Sequence, residues 1–142
     1  PTATELPTYQ LVKVNGVVAS NSTTIVGDMK KFKYSDDGVL RLVLKPTFQN
    51  TNKTQMALDL RKVKFTTGRV TYYPGCFEAI SNKKIVYIDV NQVKQVICKI
   101  SLAADNKNKF SSIESKAQYI IPFLDSPDNF KFQVNLKIED FL

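Results

Sequence analysis

The final stretch, FKFQVNLKIEDFL (130–142), alternates apolar and polar side chains through ten positions. Phe130, Phe132, Val134, Leu136 and Ile138 fall on one side of an extended chain, and Lys131, Gln133, Asn135, Lys137 and Glu139 on the other. Only a period of two sorts them this way. A period of 3.6 would scatter the apolar residues around a helix, so the stretch predicts a half-buried β-strand. The same period recurs along most of the chain.

TYQLVKVNGVV (8–18) reads as strand broken at Asn15-Gly16, and TTIVGDMKKFKY (23–34) as a second run with Gly27 as a bend or bulge. Ser35-Asp36-Asp37-Gly38 is a turn signature, followed by GVLRLVLKP (38–46) with Leu40, Leu42 and Leu44 on one face. FQNTNKTQ (48–55) reads as a polar loop. MALDLRKVKF (56–65) mixes apolar and charged residues on both faces, then Thr66-Thr67-Gly68-Arg69 turns the chain into RVTYY, which Pro74-Gly75 ends. IVYIDV (85–90) has the β-branched content of a central strand, and QVKQVICKISLA (92–103) continues the pattern. SSIESKAQ (111–118) is the one helical candidate, with Ser111 and Glu114 at capping-box spacing. YIIPFL (119–124) is a short strand ending near Pro122.

Eight or nine short strands and one short helix give an all-β, antiparallel class in a single domain over 1–142. A helix placed before the last two strands favours an OB-like barrel. A jelly roll or other Greek-key sandwich is the alternative.

At 142 residues the chain is long enough to bury a core without needing metal or disulfides. It has no histidine, which removes Ser-His-Asp and Cys-His catalysis, His-zinc sites and imidazole acid–base work. No P-loop or GxGxxG is present, and Asp36-Asp37 and Asp125…Asp128 lie in turn signatures where aspartate serves the backbone. The expectation is a protein that is not an enzyme and holds neither metal nor cofactor. Cys76 and Cys98 lack CxxC spacing; Cys98 reads as a small buried hydrophobe, and the sequence leaves open whether the two pair. Two sequons, Asn21-Ser22-Thr23 and Asn52-Lys53-Thr54, matter only if the chain is secreted. No apolar run approaches the ~18 residues of a membrane span, so no membrane partner is expected. The opening PTATELPTYQ has neither a basic n-region nor an apolar h-region, which points to an intracellular place, cytoplasm or nucleus. A processed chain would lack the signal too, so secretion or a virion stays open.

The net charge is +7. Between positions 30 and 69, ten basic residues face three acidic ones, which suggests a basic face for an acidic partner. Aromatic residues interleave with these cations. Lys30, Lys31, Lys33 and Tyr34 form one candidate group, and Arg61, Lys62, Lys64, Arg69, Tyr72 and Tyr73 another. Lysines and arginines neutralise phosphates, and exposed rings stack on bases, each worth about 1–3 kcal/mol. Phe130 and Phe132 share their face with aliphatic residues and belong to the core. Tyr72 and Tyr73 point to opposite faces, so one of them should be exposed. The pattern predicts a module for single-stranded DNA or RNA with little sequence preference. The alternative is a structural or assembly subunit, such as a viral capsid or tail component, and a homo-oligomer in either case.

Overall fold

The computed structural model describes residues 2–6, 11–27, 39–67, 70–103 and 116–135. The described residues form antiparallel strands joined by turns. In chain order they are β1 (Thr2–Leu6), β2 (Leu11–Val14), β3 (Val17–Ser20), β4 (Thr23–Gly27), β5 (Val39–Leu44), β6 (Thr47–Asn50) and β7 (Met56–Asp59). A 3-10 turn (Leu60–Lys62) leads to β8 (Lys64–Thr67), β9 (Val70–Tyr72), β10 (Gly75–Glu78), β11 (Ile85–Ile88), β12 (Val93–Ala103), β13 (Lys116–Pro122) and β14 (Asn129–Asn135).

One large sheet runs β1-β4-β5-β12-β6-β3-β2, with β10 added to the far side of β12. Its odd order has a simple cause. β3 and β4 are two halves of one long strand bent at Asn21-Ser22, and β5 and β6 are halves of another bent at Lys45-Pro46. Backbone bonds carry the ladder through the bend: Lys45 N–H donates to Ser22 O at 2.8 Å, and Val96 N–H to Pro46 O at 2.9 Å. Proline has no N–H, so Pro46 marks the place where the ladder must slip. The hairpin at the end of this sheet, β2–β3, turns on Asn15-Gly16 with φ of 50° and 75°, the pair of positive angles a two-residue turn requires. A Cβ on Gly16 would lie 2.2 Å from Asn52 Oδ1, so glycine is needed for space as well.

The second sheet runs β14-β13-β8-β9, and β11-β7 forms a two-stranded piece beside it. The two join through the Leu58–Phe123 bridge and the Leu124 N–H bond to Ala57 O at 2.9 Å. The sheets meet on an aromatic core. Phe48, from β6, lies with its ring centroid 5.0 Å from Phe130 and 6.2 Å from Phe132, both on β14. Tyr119 stacks on Phe132 at 4.8 Å, and Phe123 lies 5.2 Å from Phe130. All are buried, with Leu42, Leu44, Leu58, Ile88 and Val96 around them. Each large side chain so buried contributes on the order of 2–3 kcal/mol. The Tyr119 hydroxyl donates to Asn21 Oδ1, and Asn21 Nδ2 donates to Thr23 Oγ1 at 3.1 Å. Burial pushes the Tyr119 phenol well above its ordinary pKa, so it remains a donor. This contact ties the bend of the large sheet to the second sheet.

All-β antiparallel architecture is what the sequence predicts, but the sheets are open. β1 and β2 end the large sheet without pairing to another described strand, so the expected closed OB-like barrel is not formed. Of the helical candidate 111–118, residues 116–118 lie in β13, because Ala117 and Tyr119 are needed on the core face; the rest lies outside the described residues. The loop expected at 48–55 begins only after Asn50, since Phe48 is a core anchor. The expected single strand at 56–65 is interrupted where Asp59 accepts Arg61 N–H at 3.1 Å and starts the 3-10 turn. Among the described strands IVYI does not lie centrally: β11 pairs with β7 alone there. Leu136, Ile138 and the acidic tip lie outside the described residues.

Cys76 and Cys98 stand opposite each other in the β10–β12 ladder, Cα atoms 4.1 Å apart, and form a disulfide. Both are buried. Four positions of ladder and this one covalent link hold the short strand β10 to β12. The buried polar groups have partners too. Asn50 donates to Thr54 O and Ile88 O, both at 2.8 Å, and accepts Asn52 N–H at 2.8 Å. Asn52 donates to Asn15 O at 2.6 Å. The asparagines of both sequons therefore have structural tasks. Glu78, 3% exposed, accepts Ile80 and Ser81 N–H through Oε2, and its Oε1 lies 3.4 Å from Lys94 Nζ. Burial pulls the Glu78 carboxyl up, but the two backbone donors and Lys94 outweigh it and leave the pKa below the usual range.

Two outcomes follow from these contacts. A disulfide closing a loop of about 22 residues stabilises by roughly 3 kcal/mol through chain entropy. Urea unfolding with and without dithiothreitol should show that loss; equal midpoints would mean the ladder alone secures β10. For Glu78, a folded pKa below the ordinary 4.5 means its stabilisation is present above that pH and is lost as pH falls through the folded value. Glu78→Gln should therefore cost about 1.5–3 kcal/mol at pH 7. The gap to the unaltered chain should narrow once the pH drops below the ordinary carboxylate value. A gap that stays constant down to pH 3 would contradict the charge assignment.

Candidate functional site

Alternation places every second residue of the second sheet outward, and register then decides which of them meet. On β13, Ile120 pairs with Lys64 of β8 on one side and Lys131 of β14 on the other. Phe65 pairs with Tyr72, so the same register continued by one residue sets Tyr73 against Lys64. One row across the outer face therefore reads Tyr73, Lys64, Ile120, Lys131. The next reads Thr71, Thr66, Gln118, Gln133. Lys64 and Lys131 are exposed, and Tyr73 is 72% exposed. Ile120, whose register neighbours are the two lysines, is half-buried. No carboxylate stands in either row.

The strands are spaced about 4.8 Å apart, so the two lysine positions are roughly 10 Å from each other. That is about one screening length at physiological salt, and the two charges act on an approaching anion together. The rows thus combine two cations, an exposed ring, an apolar centre, and a border of amide and hydroxyl groups.

The predicted site residues divide into three groups. Lys64 and Tyr73 come together in the outer row, and Lys62 is exposed on the 3-10 turn just before Lys64. Arg61 is exposed but committed: its Nε and Nη2 donate to Asp59 at 2.9 and 3.1 Å. That bidentate hydrogen bond raises the Arg61 pKa and holds the Asp59 carboxyl below its usual range. Tyr72 turns inward, its ring 6.4 Å from Phe65, which confirms the expected split between the two tyrosines. Lys30, Lys31, Lys33, Tyr34 and Arg69 lie outside the described residues.

Lys131 belongs to this row although it lies far from the basic segment in sequence. Only the pairing of β13 with both β8 and β14 brings it beside Lys64. A second basic face exists on the large sheet, where Arg41 pairs with Ser101, and Lys99 with Val43. There the ring is covered: Lys99 Nζ sits 5.8 Å above the Phe77 centroid. Among the described residues the second sheet thus carries an exposed ring, Tyr73, beside its lysines. Among the described residues no group of three or more His, Cys, Asp or Glu is placed to hold a metal ion. No described helix is long and apolar enough to cross a membrane.

No model of a known family matches the chain, and no curated protein matches it. Its fold is similar to the crystal structure of a functionally unknown protein from Listeria monocytogenes EGD-e. That match has a TM-score of 0.60 at 8% identity, covering 96% of this chain and 88% of the other. An uncharacterized beta-sandwich protein from Clostridium difficile 630 matches with a TM-score of 0.46 at 12% identity, over 87% of this chain and 89% of that one.

Proposed function

We propose that this chain is a non-enzymatic β-sandwich module that binds single-stranded nucleic acid through the outer face of the β9-β8-β13-β14 sheet. The observation that carries the reading is the row of Tyr73, Lys64, Ile120 and Lys131, in which two cations and a free ring share a surface without a carboxylate. Lys64 and Lys131 would contact phosphates, with Lys62 extending the track, and Tyr73 would stack on a base. Gln118, Gln133, Thr66 and Thr71 offer hydrogen bonds without a fixed donor–acceptor code, which fits low sequence preference. Arg61 contributes little, because Asp59 offsets its charge.

The Cys76–Cys98 bond favours an oxidising compartment over the cytoplasm or nucleus. A second reading, a subunit of a homo-oligomeric assembly, is favoured by one observation: strand β11 leaves one backbone edge unpaired among the described residues.

Fluorescence anisotropy with a labelled 30-nucleotide single strand and the matching duplex tests the polymer reading. Single-strand binding should fall with salt at a slope of about −0.7 per neutralised phosphate. Replacing Lys64 and Lys131 together by alanine should flatten that slope by about 1.4, whereas Arg61→Ala should leave it nearly unchanged. Tyr73→Ala should weaken binding by about 1–3 kcal/mol with the slope intact. Absence of binding at low salt, or binding indifferent to the lysine pair, would overturn the reading.

A further inference from the structure

We infer that the polymer surface ends at a second stacking ring, Tyr87, and that it takes the sugar-hydroxyl terminus of a single strand. This rests on the nucleic-acid reading and adds where on the strand the chain binds.

The register extends the face. β13 pairs with β8 through its middle. At its far end the Leu58–Phe123 bridge and the Leu124 N–H bond to Ala57 O bring the chain against β7, on the side away from β14. Ala57 in turn pairs with Tyr87 of β11. Leu58, Val86 and Phe123 are buried, so alternation turns Ala57, Tyr87 and Leu124 outward, as it does Ile120. A further row, Tyr87, Ala57, Leu124, therefore lies on the face that carries Tyr73, Lys64, Ile120 and Lys131. Tyr73 and Tyr87 both stand two strands from the β13 chain, on the same side of it.

Ile120 and Leu124 are four residues apart, which separates the two ring positions by about 13 Å along the strands. Tyr87 is 52% exposed. The floor between the rings is half-buried and apolar, formed by Ile120, Pro122, Leu124, Ala57 and Ile85. The carboxylate of Asp59, paired with Ile85, is 2% exposed and bound by Arg61. Stacked bases follow one another at about 3.4 Å, so rings this far apart hold bases that have left their own stack. An unpaired strand supplies such bases and a duplex does not.

The charge of the face is graded in the same direction. Lys62, Lys64 and Lys131 are exposed around the first ring. Past the second ring the chain carries Asp89, exposed two residues after Tyr87, and Asp125, exposed directly after Leu124. Asp89 Oδ1 accepts Gln55 Nε2 at 2.7 Å, which sets this carboxylate beside the start of β7, at the border of the row. A phosphate continuing beyond Tyr87 would meet like charge. A terminal sugar hydroxyl would meet an acceptor instead, because a carboxylate takes more than one hydrogen bond. A strand with its phosphates over the lysines therefore ends at Tyr87.

Competition against an internally labelled 30-nucleotide single strand tests the inference. The competitors are strands of the same length with hydroxyls at both ends, a phosphate at the 3′ end, a phosphate at the 5′ end, or no end because they are circular. The hydroxyl-ended strand should compete about tenfold or more better than the circle, and one of the two phosphates should cost a similar factor and so identify the terminus. Asp89→Asn, which keeps an acceptor for Gln55, should remove the phosphate penalty. Tyr87→Ala should weaken the hydroxyl-ended strand about 5- to 150-fold, whereas Tyr87→Phe, which keeps the ring, should not. The strand comparison uses the unaltered chain, so it decides the matter even if a variant unfolds. Circle and open strand competing equally, or a folded Tyr87→Ala chain binding like the unaltered one, overturns the inference and leaves the nucleic-acid reading standing. Absence of binding by every strand overturns both.

Discussion

The contact of Phe48 with Phe130 and Phe132 is where the two sheets become one protein. Each sheet alone presents a row of large apolar side chains that water would have to cover. Edge-to-face and tilted packing between these rings buries the row from both sides and fixes the sheets' separation. The bends at Asn21-Ser22 and Lys45-Pro46 let the long strands of the large sheet turn at the point where Phe48 must reach inward. The Tyr119–Asn21 hydrogen bond then fixes that corner. Without the aromatic contact the bends would have nothing to wrap. Without the bends, Phe48 would lie on a sheet running past its partner.

Side-chain direction was readable because alternation is a local property. Phe130, Phe132 and Val134 face inward as their spacing requires, and Tyr72 and Tyr73 divide between the two faces. Asn15-Gly16 makes the turn its residue types demand. What alternation cannot convey is which strands lie side by side. IVYI has the composition of a central strand yet pairs with β7 alone among the described strands, because composition reports burial on a face and not pairing at both sides. The same blindness hid the cysteine pair: Cys76 and Cys98 meet only through the β10–β12 register. At 116–118 the helical spacing yielded to a period of two that runs on through Tyr119 and Ile121, where burial outweighs local preference.

The candidate site was legible in kind and illegible in membership. The sequence identified cations beside tyrosines, and Lys64 with Tyr73 is such a pair. It could not show that Arg61 is held by Asp59, nor that Lys131 completes the row from the other side of Ile120. The reason is common to both. The carboxylates Asp59, Glu78 and Asp128 are drawn into turns, where backbone or side-chain donors hold their pKa values low. They serve local geometry, so the outer rows are left with lysines unopposed. Among the described residues a modest net charge therefore becomes two basic faces.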